Sequence, residues 1–304
     1  MISLYVLVQA IFTLSVAVAV GNNMGVILGP AIGARALKKE WTYLLSFTGL
    51  AAGYIIEGQK LELTSMSYSL DSTVIIYSLS LLILLILTLG GFVTSITQIF
   101  VGVFAGLSLV KGETFLIEKV ETIIIFWVIT LLASSFISYL IMRSLIRKGS
   151  ITINNLAVLK MLLFIFVFFT AYVLGANTLG FISSFYSGTI IKDILVLIGI
   201  AVGIVIVKGI KGTKMLGSGF YGIKYVSAVP PYISALLMTE ISTQLSVPLP
   251  TSLALFSGIL GSGVAMGFRA ISHKRVVSYI LMSWVAPFLA SLITSWIIFS
   301  ILGY

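Results

Sequence analysis

A chain of 304 residues that is 59% hydrophobic and 9% charged, with a mean hydropathy of +1.19, is an integral membrane protein. Globular domains carry roughly 25% charged residues, and no soluble core absorbs this much apolar surface. The net charge of +9 does not mark a nucleic-acid binder, because the cations sit in short loops between apolar runs.

Cysteine is absent, which excludes disulfides and thiol chemistry. The single histidine, His273, lies in a basic cluster, which argues against haem and most zinc sites.

In chain order, apolar spans cover residues 2–20, 41–56, 73–89, 93–110 and 122–142, then 156–174, 194–207, 225–243, 251–267 and 276–302. Crossing about 30 Å of hydrocarbon takes about 20 helical residues, so the shorter spans are expected to be tilted, broken or re-entrant. The first span has no basic leader and no small-residue cleavage site, and reads as a retained helix. It ends in a polar step, Val20-Gly21-Asn22-Asn23-Met24-Gly25, and the sixth span ends in another, Gly175-Ala176-Asn177-Thr178-Leu179-Gly180. A shift of 155 residues lays one on the other, Asn22 on Asn177 and Asn23 on Thr178. Glycine weakens a helix by roughly 1 kcal/mol relative to alanine, and an amide in lipid needs a partner. Polar breaks at matching places in two halves point to a transporter's binding site. Residues 26–34 and 181–191 read as half-helices that extend these broken spans.

The loops set the topology. With five crossings per half, Arg35, Lys38, Lys39, Arg143, Arg147, Lys148, Lys208, Lys211, Lys214, Arg269, Lys274 and Arg275 fall on one side, where the acid is Glu40. Glu57, Glu62, Asp71, Glu113, Glu118, Glu121 and Asp193 fall opposite, against Lys60, Lys111, Lys119 and Lys192. The basic side is expected to be cytoplasmic, in a plasma membrane. An odd number of crossings inverts the second half. The expected fold is therefore all-α, two inverted repeats of about five spans each, residues 1–149 and 150–304.

The repeat extends further. Val93-Thr94-Ser95-Ile96-Thr97-Gln98 falls on Pro248-Leu249-Pro250-Thr251-Ser252-Leu253 at the same shift, and Gly106 falls on Gly261. Two residues further out of register, Trp127-Val128 matches Trp284-Val285 and Leu132-Ala133-Ser134 matches Leu289-Ala290-Ser291. Gly90-Gly91 before Ser95 and Thr97, and Pro248 and Pro250 before Thr251 and Ser252, are helix breaks followed by start signals. Hydroxyl residues there can cap the first turn, or leave its N–H groups and dipole to an oxyanion. Glu240 is an acid inside an apolar span and a candidate for ion coupling. Lys160, four residues into its own span, can snorkel to the basic side.

These steps resemble those of the inorganic phosphate transporter family, which includes bacterial sulfate permeases. That family has a G-A-N-D step in each half, where this chain has Val20-Gly21-Asn22-Asn23 and Gly175-Ala176-Asn177-Thr178. It also has a P-x-S-T-T-H step in each half, similar to Val93–Gln98 and Pro248–Leu253, and a glycine-rich helix similar to Leu255–Ala265. By this resemblance Asn22, Asn177, Ser95, Thr97, Thr251 and Ser252 line the anion and ion sites, with Asn23, Gln98 and Thr178 completing the set. The family's two motif aspartates help bind the coupling sodium, and they fall here on neutral Asn23 and Thr178. Hard cations favour carboxylate oxygens, so the departure shifts weight towards sulfate or a related oxyanion and away from sodium.

The expected function is secondary active transport of a small inorganic oxyanion, phosphate or sulfate, coupled to protons and independent of sodium. The alternatives are a sodium-coupled phosphate symporter, a passive anion channel and, least favoured, an intramembrane enzyme. No catalytic residue, metal centre or organic cofactor is expected. The expected partners are the oxyanion and the bilayer, with a homodimer admitted and nucleic acid excluded.

Overall fold

The computed structural model describes residues 2–33, 39–61, 69–89, 94–112, 114–147, 153–187, 190–206, 225–267, 277 and 280–304. Every regular element among them is helical. The first half holds α1 (Ile2–Gly33), α2 (Lys39–Glu57) with a closing turn at Gly58–Leu61, α3 (Leu70–Leu89), α4 (Ile96–Lys111) and α5 (Thr114–Arg147). The second holds α6 (Ile153–Leu174), a π turn (Gly175–Leu179), the single turn α7 (Gly180–Ser183), α8 (Ile190–Ile206), α9 (Tyr225–Gln244), α10 (Thr251–Ala265), a second π turn (Leu281–Val285) and α11 (Ala286–Leu302). The basic loops at 34–38, 148–152, 207–224 and 268–276 lie outside the described residues, as do Glu62, Glu113, Gly90-Gly91 and Val93.

Among the described residues, five stretches are long and apolar enough to cross a membrane: Leu4–Ala31, Leu70–Leu87, Thr114–Arg147, Ala157–Ser183 and Leu281–Leu302. Polarity is arranged inside out. Leu132, Val205 and Ile301 are exposed, whereas Ser134, Ser138, Asn177 and Ser262 are fully buried. Lipid gives no hydrophobic drive to join helices, so small residues and internal hydrogen bonds do the joining. The molecule is an integral membrane protein.

The expectation that the polar steps break their spans is corrected. α1 runs as one α-helix straight through Asn22 and Asn23, and the second step is a π turn that keeps the chain helical. Each asparagine finds its partner through the side chain, so the backbone ladder does not have to open. The half-helix expected over 181–191 shrinks to α7 and a turn before α8 begins.

Packing exchanges elements between the halves: α1 lies along α8, α2 along α6, α4 along α11 and α5 along α10. Glycines set the closest of these approaches. A Cβ on Gly53 of α2 would stand 1.9 Å from the Tyr172 carbonyl oxygen of α6, and one on Gly203 of α8 would stand 2.4 Å from that of Ala17 on α1. Ala17 and Tyr172 occupy equivalent places in the two halves, so the same seam is built twice. Gly53→Val is expected to destabilise the fold by about 1–3 kcal/mol, as overpacking does. Thermal unfolding in detergent measures it, and an unchanged melting temperature would show that α2 and α6 can separate freely.

Candidate functional site

α4 and α10 span 16 and 15 residues, and both begin inside the molecule. The Trp127 indole donates to the Pro248 carbonyl at 2.9 Å, just ahead of α10. Trp127 lies about 20 Å along α5 from Thr114, at 1.5 Å per residue, so α10 starts deep. α9 stops short because Ser246 takes a left-handed backbone, φ 56°, which turns the chain towards that start. Above this link a cleft of about 220 Å³ opens between Glu118, Lys119 and Thr122 of α5 and Ser246 and Val247.

The asparagines position the lead-ins to these helices. Asn22, half-buried on α1, donates to the Thr94 carbonyl at 2.9 Å. Asn177, fully buried in the π turn, accepts from the Leu249 N–H at 2.8 Å. Its amide nitrogen faces the Val247 carbonyl at 3.0 Å and the hydroxyls of Ser242 and Thr243 at 3.0 and 3.1 Å. The next residue, Thr178, meets Thr97 of α4 across the halves, with their oxygens 3.3 Å apart. The second polar step therefore touches both helix starts. Asn23 points elsewhere: its amide donates to Ala19 of its own helix at 2.9 Å.

Neither start is capped as its hydroxyls suggested. Ser95 and Pro250 hold the two N-cap positions, and neither makes a side-chain cap hydrogen bond. The Thr94 hydroxyl, the Gln98 amide oxygen and the Thr251 hydroxyl are buried without a hydrogen-bond partner among the described residues. Each such group costs about 1–3 kcal/mol, which a folded protein tolerates where the groups serve a ligand or a moving part. Ser95 and Thr97 are buried with them, while Ser252 is partly exposed.

Glu240 is not part of this cluster. It lies half-buried one turn before the end of α9, accepting from Gln244 at 2.5 Å. Gln244 also reaches Glu57 at 3.4 Å and accepts from Lys60 at 2.9 Å, and Lys60 pairs with Glu57 at 3.4 Å. Glu240 thus shares a polar network at the ends of α2 and α9. Ser242 and Thr243, next along α9, carry that helix's contact with Asn177.

Sequence reasoning missed two tyrosines. Tyr77 of α3 donates to the Ile182 carbonyl at 2.6 Å, and Tyr232 of α9 donates to the Ile27 carbonyl at 2.7 Å. The same 155-residue shift relates both donors and both acceptors, which was the signal available. Among the described residues no group of His, Asp and Glu side chains could hold a metal ion.

No family model matches the chain. Over 315 aligned residues it is 26% identical to the sulfate permease CysP of Bacillus subtilis (strain 168), covering 93% of this chain and 84% of that protein. Its fold overlays a solved sodium-dependent phosphate transporter with a TM-score of 0.78, covering 99% of both chains at 15% identity. The resemblance to the inorganic phosphate transporter family is borne out. It holds along almost the whole chain in sequence and in fold, so the all-α transporter architecture stands.

Proposed function

We propose that the chain is a secondary active transporter of a small inorganic oxyanion, with sulfate favoured over phosphate. The observation that carries this reading is the pair of deep helix starts, uncapped and surrounded by buried polar groups without partners. Free N–H groups, the positive end of a helix dipole and hydroxyl donors suit a tetrahedral oxyanion. The similarity to a sulfate permease and the neutral Asn23 and Thr178 favour sulfate.

Residues 1–149 and 150–304 act in this reading as inverted halves, with the basic loops cytoplasmic in the plasma membrane. Helix register supports the inversion. Gly49 and Gly53 of α2 meet Phe168 and Tyr172 in ascending order, so α2 runs parallel to α6. Five residues of sequence separate α1 from α2, and so short a connection favours antiparallel neighbours, which would set α6 opposite to α1. Cysteines replacing Glu118 and Arg147 are expected to react with an impermeant thiol reagent from opposite faces, Arg147→Cys from the cytoplasm.

Counterflow of labelled sulfate in proteoliposomes tests the function. Exchange of sulfate, with weaker competition by phosphate, is expected; no exchange of either anion contradicts the proposal. Thr97→Ala and Ser252→Ala each remove a donor at one helix start. Each is expected to weaken apparent affinity about ten- to a hundredfold, the worth of one hydrogen bond to a charged group. Unchanged affinity in both would reduce these residues to packing.

A further inference from the structure

The scaffold of the two halves is symmetric, but the contacts at their centre are not. Tyr77 with Ile182 and Tyr232 with Ile27 repeat each other, as do the glycine seams at Gly53 and Gly203. At the centre, the 155-residue shift that relates the tyrosine pairs carries Thr97 to Ser252 and takes Thr178 back to Asn23. Thr97 and Thr178 touch and are buried. Their counterparts do not: Asn23 bonds its own helix, and Ser252 is partly exposed with no hydrogen bond among the described residues. Asn177 is fully buried with several partners, whereas its counterpart Asn22 is half-buried with one among the described residues. The backbone differs as well, since the stretch wound as a π turn at Gly175–Leu179 corresponds to α-helix at 20–24.

We propose that Thr97–Thr178 and Ser252–Asn23 are alternative contacts, each closing the substrate path on one side of the membrane. This rests on the transporter reading above. In the state described, the Thr97–Thr178 contact is made, and Asn23 is held by Ala19 and not by Ser252. In the opposite state Asn23 leaves Ala19 and takes Ser252, while Thr178 leaves Thr97. The groups exchanged are neutral, short and each able to donate and accept, so the swap trades one uncharged hydrogen bond for another and leaves the two states close in energy. That is what a carrier cycling between them requires. The symmetric tyrosine and glycine contacts are the parts that need not change.

The chain has no native cysteine, so the exchange can be read by thiol chemistry. A variant carrying Asn23→Cys, Thr97→Cys, Thr178→Cys and Ser252→Cys is oxidised in membranes, and its disulfides and free thiols are counted by mass. One bond and two free thiols per molecule are expected, with both possible pairs found across the population. Two bonds in one molecule, or no disulfide between positions 23 and 252 under any condition, overturn the proposal. A second measurement does not depend on that variant folding. Ser252→Cys alone is labelled by a thiol reagent, with and without Thr178→Val. Removing the Thr97–Thr178 contact is expected to shift the population towards the opposite state and slow labelling about fivefold. An unchanged or faster rate contradicts the exchange. Neither readout uses a substrate. Failure of sulfate counterflow would therefore overturn the function proposed above, and the thiols would still decide this exchange.

Discussion

Replacing Asn177 with leucine is expected to abolish sulfate counterflow, whereas Asn22→Leu leaves a measurable fraction. The two residues are equivalent in sequence and unequal in structure. Asn177 is fully buried and bonds both the Val247 carbonyl and the Leu249 N–H, which fix the approach to α10. Leucine has a similar size and offers neither a donor nor an acceptor. Each backbone group left unpaired costs about 1–3 kcal/mol, so the two together cost about 2–6 kcal/mol of the order at that helix start. A tenfold loss corresponds to about 1.4 kcal/mol, and the expected reduction is a hundredfold or more. Asn22 is half-buried and contributes one bond among the described residues, to the Thr94 carbonyl, so about a tenfold loss is expected there. Initial rates normalised to monodisperse protein make the comparison. Equal losses at both positions would show that the asymmetry of the clamps has no bearing on transport.

The second large effect concerns coupling. Glu240→Gln is expected to abolish acid-stimulated accumulation of sulfate and to leave counterflow, which needs no net driving force. Glu240 shares Gln244 with Glu57, and Lys60 pairs with Glu57, so two carboxylates share one cation in this network. In the proposed coupling, the protonation of Glu240 would be passed along the same helix to Asn177, which Ser242 and Thr243 contact. Glutamine keeps the shape and the bond to Gln244 and cannot take up the proton. Uptake driven by an acid outside compartment measures it. Unchanged acid stimulation in the variant would make Glu240 a structural group.

Apolar runs made the helices legible in the sequence, and the 155-residue spacing made the two halves legible. Thr97 and Thr178 were singled out from separate motifs, and the fold brings them into contact. The unbroken course of α1 was not legible, because local polarity argues for a break. What permits the continuous helix is Thr94, a hydrogen-bond acceptor far away in the chain. The surroundings of Glu240 were not legible for a similar reason. Its apolar neighbours along α9 suggested isolation in the membrane, while its actual partner, Gln244, lies one turn on and leads to Glu57 and Lys60 on another helix. Tyr77 and Tyr232 sat in register without a motif to draw notice, and the value of that register emerges when their acceptors, Ile182 and Ile27, are seen to repeat it.

The most direct test imposes one gradient at a time on wild-type protein in proteoliposomes. A divalent anion moving inward against about 100 mV needs about 4.6 kcal/mol, so accumulation requires a coupling ion. Asn23 and Thr178 supply no negative charge for sodium, and Glu240 is the proposed coupling carboxylate. Labelled sulfate is expected to accumulate above equilibrium when the outside is acidic, with sodium absent throughout. Full accumulation on a sodium gradient at equal pH, with none on the acid gradient, would contradict the account.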